Sequence, residues 1–120
     1  MWKAFPAPQE LVSIASAKTP SAWDSLSADE QQVHLRAQRF ARVQVAEMRL
    51  FETDAVQSGR TRRDLYGVLR PRIDAARESF RKSFFAPSAS MVDYLHLELV
   101  HTLANDDPEL LGKDYPGPMV

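Results

Sequence analysis

Apolar positions recur every three or four residues from Val33 to Ala55, and no Pro or Gly interrupts residues 28–58. The pattern predicts one amphipathic helix over that whole stretch. Ser27 and Glu30 stand in capping-box spacing at its start, and Gly59 suits a left-handed cap at its end. At about 1.5 Å per residue such a helix spans roughly 46 Å, more than the diameter expected of a globule this size, so it needs a second long helix or a second chain alongside. Its predicted core stripe is Val33, Ala37, Phe40, Ala41, Gln44, Met48, Phe51 and Ala55, widened by Val43, Ala46 and Leu50. That width suits a bundle better than a two-stranded coiled coil.

Thr61 and Asp64 predict a helix restarting within two residues of Gly59, with Leu65, Leu69, Ile73, Ala76, Phe80 and Phe84 on one face. So short a connection implies an antiparallel hairpin. Pro71 lies inside this second helix, and the residue four back is Gly67. A kink there is preferred over a split into two helices, because the glycine backbone can yield. Residues 86–90 read as a loop offering Ser88 and Ser90 as N-caps to a third helix, whose core side is Val92, Leu95, Leu99 and Leu103 with Met91 beside it. Asn105 to Pro108 stop that helix, one further turn is expected before Gly112, and the tail from Tyr115 is expected to be extended.

The expected organisation is therefore all-α: an N-terminal arm with short helical turns (1–26), a helical hairpin with a third packed helix (27–106), and an extended C-terminal tail (107–120). Within the arm, Gln9 to Ala17 suits a short helix, and Ser21 with Asp24 suits a second turn carrying Trp23 and Leu26.

Composition narrows function mainly by exclusion. The chain has 120 residues and no cysteine, which removes disulfides, thiolate nucleophiles, zinc ribbons and iron–sulfur clusters together. No apolar run reaches the roughly 18 residues of a membrane span, and the start lacks the apolar core of a signal peptide, so a cytoplasmic protein with no membrane association is expected. Net charge is −1, yet its distribution is uneven: residues 59–85 hold eight Lys/Arg against three Asp/Glu, and residues 86–120 hold one against six. The two segments are expected to neutralise each other within one chain or between two. Arg outnumbers Lys eleven to four, favouring planar pairing with carboxylates or phosphates.

Three segments carry a resemblance. RFARVQVAEMRLFE at Arg39 to Glu52, GRTRRDLYGVL at Gly59 to Leu69, and DYLHLELVHTLANDDPELLGKDYPGP at Asp93 to Pro118 resemble a helical region of uncharacterised bacterial proteins, sometimes attached to other domains. The resemblance implies a self-contained helical module and carries over no functional residue. Pro71 departs from that group's pattern, and residues 1–26 lie outside it.

Candidate chemistry is sparse. Glu98 and His101 form an E-x-x-H step like that of di-metal carboxylate bundles, which dimerisation would double if Glu47 or Glu52 faced inward. With Leu95 at zero, Leu99 falls at about 40°, Glu98 at about 300° and His101 at about 240°, so both polar groups sit off the core stripe and a surface ion pair is the stronger reading. His34, His96 and His101 do not form a ligand set on one helix and are expected as surface or boundary residues. No nucleophile-elbow or phosphate-loop motif occurs. No cofactor, metal or small-molecule substrate is implied, and no enzyme.

The leading expectation is a non-enzymatic interaction or scaffold module that binds a protein partner and forms a homodimer. Its binding residues are expected to be Trp2 and Phe5 in the arm, Arg60, Arg62, Arg63, Tyr66 and Arg70 in the basic segment, and Tyr115 and Met119 in the tail. The basic segment also suits nucleic acid, but Asp64, Asp74 and Glu78 interrupt it and no recognised motif accompanies it.

Overall fold

The computed structural model describes residues 23–119; Trp2, Phe5 and the helix expected over 9–17 lie outside them. Among the described residues every regular element is helical and none is a strand. The elements are α1 (Ala28–Phe51), α2 (Thr53–Arg62), α3 (Leu65–Phe80) ending in a π-type turn (Arg81–Phe85), α4 (Tyr94–Glu98) continuing as a π-type turn (Leu99–Leu103), and a 3-10 turn (Pro108–Leu111). The chain divides into two units, Met1–Val33 and His34–Val120.

In the first unit, Leu26 N donates to Trp23 O at 3.1 Å, and the Gln31 amide donates to the same carbonyl at 3.0 Å. The capping box is present: Glu30 N donates to Ser27 Oγ at 3.1 Å and Ser27 N to Glu30 Oε1 at 3.2 Å. Two otherwise unpaired donors of the first turn are thereby satisfied.

The second unit departs from the expected single helix over 28–58. Glu52 leaves helical geometry (φ −123°, ψ 41°), and the chain is broken there into α1 and α2. The Thr53 hydroxyl donates to Arg49 O at 2.8 Å and reaches Leu50 O at 3.4 Å. A threonine bonding back to the preceding turn supplies the alternative partner that bends a helix without Pro or Gly. Gly59 also corrects its expected role: it lies inside α2 and is buried. The left-handed residue is Arg63 (φ 55°), with Arg63 N donating to Arg60 O at 3.3 Å and Asp64 N to Gly59 O at 2.8 Å. Gly59 serves close packing instead, since a Cβ there would stand 2.9 Å from Leu65 Cα and 2.8 Å from Val68 Cγ2.

Asp64 caps α3 by accepting from Gly67 N at 3.1 Å, and Thr61 remains inside α2. Helix α3 runs through Pro71 with a kink, its non-helical residue being Leu69 (φ −115°, ψ 18°). Leu65, Tyr66, Leu69, Ile73, Ala76 and Phe80 are buried, so the expected face points inward, with Phe84 half-buried. Phe80 sits in a three-ring cluster, its centroid 6.2 Å from Phe40 and 5.4 Å from Phe84. The N-cap of α4 is Asp93, which accepts from His96 N at 2.9 Å, rather than Ser88 or Ser90. Leu95, Leu99 and Leu103 are fully buried, each worth about 1.5–3 kcal/mol on removal from water, whereas Val92 is exposed. The turn expected before Gly112 is present, capped by the Asp107 side chain.

The buried face of α1 also differs from the expected stripe. Its buried residues are His34, Ala37, Gln38, Ala41, Val45 and Met48. Phe51 is solvent-exposed, and so are Val43, Ala46 and Leu50. Two polar side chains on the buried face displace it from where apolar counting alone puts it. His34 is held by Tyr94 (Nδ1 to hydroxyl, 2.8 Å) and by Ser90 (Nε2 to Oγ, 3.1 Å), so it is a buried residue and not a surface one. Gln38 is buried with neither amide atom hydrogen-bonded.

Candidate functional site

Three apolar residues left outside the core, Val43, Ala46 and Leu50, gather on one side of α1. With Val43 at zero and about 100° per residue, the buried residues span about 120° to 220°, while Ala46, Leu50 and Val43 span about 300° to 360° and Phe51 lies at about 80°. The second apolar face is thus opposite the first. Leu50 is 72% exposed and Phe51 70%. One exposed leucine is ordinary; a line of apolar side chains facing away from the core is the informative case.

Beside that line runs a groove of about 340 Å³, lined by Ala46, Arg49 and Leu50 of α1 and by Thr53, Val56, Gln57 and Arg60 of α2. It lies where α1 gives way to α2 at Glu52. Thr53 and Arg49 supply its polar rim, and Leu50 and Val56 supply apolar surface.

Most of the basic segment is occupied within the chain. Arg60 donates to Leu103 O at 2.9 Å and to Thr102 O at 3.3 Å, satisfying carbonyls at the end of the α4 segment. Arg63 pairs with Glu109 at 3.1 Å and with Asp107 at 3.8 Å, the contact by which basic and acidic segments meet. These partners are solvated, so the pairs are worth at most about 1 kcal/mol. Arg70 lies 4.9 Å over the Tyr66 ring. Tyr66 is buried, and its hydroxyl donates to Asp74 at 2.7 Å, a bond that holds the phenol above its usual pKa. Arg62 is exposed.

The tail residues form a second cluster. Tyr115 stacks on His96 (centroids 5.6 Å apart, 12° between planes), with its hydroxyl 2.8 Å from His96 Nδ1. Arg77 donates to Gly117 O at 2.8 Å and lies 5.4 Å over the Tyr115 ring. Met119 N donates to Asp93 Oδ2 at 2.8 Å. The tail is therefore fastened to α3 and α4 by two charged side chains. Burial pushes the Tyr115 phenol up to about 12.

Burial also pushes His96 below the ordinary histidine value, with the Asp93 carboxylate opposing and Arg77 reinforcing that shift. The folded chain thus prefers His96 neutral. Its contribution to stability is full above the ordinary value of 6.5 and is lost as pH falls toward the depressed folded-state value. On acidification the tail should loosen as His96 titrates, seen by NMR as concerted shifts of the His96 and Tyr115 ring signals. A His96 titrating at or above 6.5 would refute this.

Glu98 and His101 do not meet at a common point. The Thr102 hydroxyl donates to Glu98, and His101 pairs with Asp106 at 2.7 Å, which raises its pKa. Among the described residues no three His, Asp or Glu side chains are placed to hold a metal ion, and no helix is long and apolar enough to cross a membrane. No protein-family model, curated protein or solved structure matches this chain.

Proposed function

We propose that this chain is a non-enzymatic interaction module, a scaffold or adaptor subunit, that engages a protein partner through the outer face of α1. The observation that carries the reading is the exposure of Val43 and Leu50 on the side of α1 away from the core, with Phe51 exposed on its flank. Aromatic and aliphatic side chains held on a rigid helix lose little entropy when they dock, which makes them effective anchors. The reading takes α1–α2 and α3 as an antiparallel hairpin. Phe40 meets Phe80 and Phe84, while Gly59 lies against Leu65 and Val68, so advancing along the first strand of the hairpin retreats along the second. A nucleic-acid surface on the basic segment is less favoured, since Arg60, Arg63, Arg70 and Arg77 already have partners in the chain.

Leu50→Asp tests the reading. Leu50 is already solvated, so the variant should fold with unchanged helicity and thermal midpoint. Native mass measured on the protein from its own cells should exceed that of a single chain for the wild type and fall to it for the variant. A wild-type chain recovered alone, at single-chain mass and with no protein companion, would overturn the proposal.

A further inference from the structure

The outer face of α1 has two unlike flanks. On the helical wheel used above, Arg42 lies at about 260° and Arg49 at about 240°, the flank that also carries the groove. Glu47 at about 40° and Phe51 at about 80° form the other flank. The side chains of Arg42, Glu47 and Arg49 make no ion pair among the described residues. A basic, grooved edge and an acidic, aromatic edge thus border one apolar line.

Two copies of such a helix can meet face to face in two ways. If they run antiparallel about a two-fold axis, each flank meets itself: arginine faces arginine, and groove faces groove. If they run parallel, each flank meets the other. Arg42 of one copy then approaches Glu47 of the second, five residues on, as flanking positions do in parallel helix pairs. Charge selects this orientation, and like charges placed opposite each other select against the alternative.

We propose that the outer face of α1 binds a second copy of this chain, the two helices running parallel with Val43, Ala46 and Leu50 along the seam. Arg39, at about 320°, lies on the same face one turn earlier and would meet its own copy. The seam therefore starts at Val43 and not before.

The inference rests on the outer face being an interaction surface and adds the identity and direction of the partner. The chain has no cysteine, so single cysteines report it cleanly. Facing seam positions bring Cα atoms to about 6 Å, within disulfide range. Val43→Cys and Leu50→Cys should each form disulfide-linked dimers at least about tenfold faster than Ala75→Cys, an exposed position on α3. An antiparallel pair cannot link both positions, because a position links to itself only near its two-fold axis.

Glu47→Arg and Arg42→Glu should each weaken self-association about tenfold, and combining them should restore it to within about threefold. Arg39→Leu should tighten it. A chain that stays monomeric at hundreds of micromolar, or seam cysteines that link no faster than Ala75→Cys, would overturn self-pairing. If Leu50→Asp still abolished binding of a different protein, the interaction reading would stand while this inference fell.

Discussion

Phe80→Ala is expected to cost about 3–5 kcal/mol of folding stability, whereas Phe51→Ala should change it by less than about 0.5 kcal/mol. The residue type is the same, and the difference is entirely one of location. Phe80 is fully buried, and its ring is flanked by Phe40 and Phe84. Truncating it leaves a cavity bounded by two rings and by the backbone of α3, which cannot close over it. Tilted ring contacts with Phe40 and Phe84 add to the area term, which places the loss toward the top of the range. Against a total stability of about 5–15 kcal/mol, that loss is large enough to leave a sizeable unfolded population at 37 °C. Urea denaturation of both variants decides the matter. Equal losses for the two phenylalanines would contradict the assignment of core and outer faces.

Asp93→Ala is expected to cost about 2.5 kcal/mol, because one carboxylate serves two unrelated segments. Asp93 Oδ1 accepts from His96 N and caps α4; Oδ2 accepts from Met119 N and holds the tail. Loss of a cap costs about 1 kcal/mol, and loss of the hydrogen bond from the half-buried Met119 to the charged carboxylate about 1.5 kcal/mol. Asp93→Asn separates the two roles. An amide offers one acceptor oxygen and presents an N–H2 to the other donor, so it can keep the cap and lose the tail, or the reverse. Hydrogen exchange should show faster exchange at Met119 and His96 amides in Asp93→Ala, but at one of them in Asp93→Asn. Unchanged exchange at Met119 in both variants would show that the tail is held by Arg77 alone.

Features governed by neighbouring residues were legible in the sequence. The Ser27–Glu30 box, the kink accompanying Pro71 and the turn opening at Pro108 each follow from a backbone donor or ring constraint acting within four residues. The inward face of α3 was legible for the same reason, since its apolar repeat is not interrupted by polar side chains. The core face of α1 was not. His34 and Gln38 occupy buried positions there, and Tyr94 and Ser90, which hold His34, lie more than 50 residues away. Counting only apolar residues rotates the stripe toward Phe40 and Phe51, and Val43, Ala46 and Leu50 then look like its margin when they belong to the opposite side.

Gly59 was misleading in another way. A glycine at a helix end suggests a left-handed cap, but here its missing Cβ admits the backbone of Leu65, and Arg63 takes the strained conformation. The break at Glu52 had no local marker beyond a threonine one residue on. Of the residues expected to bind a partner, Arg60, Arg63, Tyr66, Arg70, Tyr115 and Met119 all have partners inside the fold: Tyr66 and Arg70 within α3, the others on segments distant in sequence. The exposed apolar residues of α1 came into view only once the core side was known.

Under the proposed pairing, the bend at Glu52 also limits the length of the seam. It ends the straight outer face of α1 little more than two turns after Val43, so an association seam there is short and its buried area falls toward the lower end of specific interfaces. By mass action such a contact would form and dissolve with the abundance of the chain, filling when copies are crowded or tethered together and emptying when they are dilute. Under the proposed pairing, the bend at Glu52, which the Thr53 hydroxyl accompanies, would make assembly a reading of local concentration. A threonine-to-alanine change that straightened the helix would turn a reversible contact into a more permanent one.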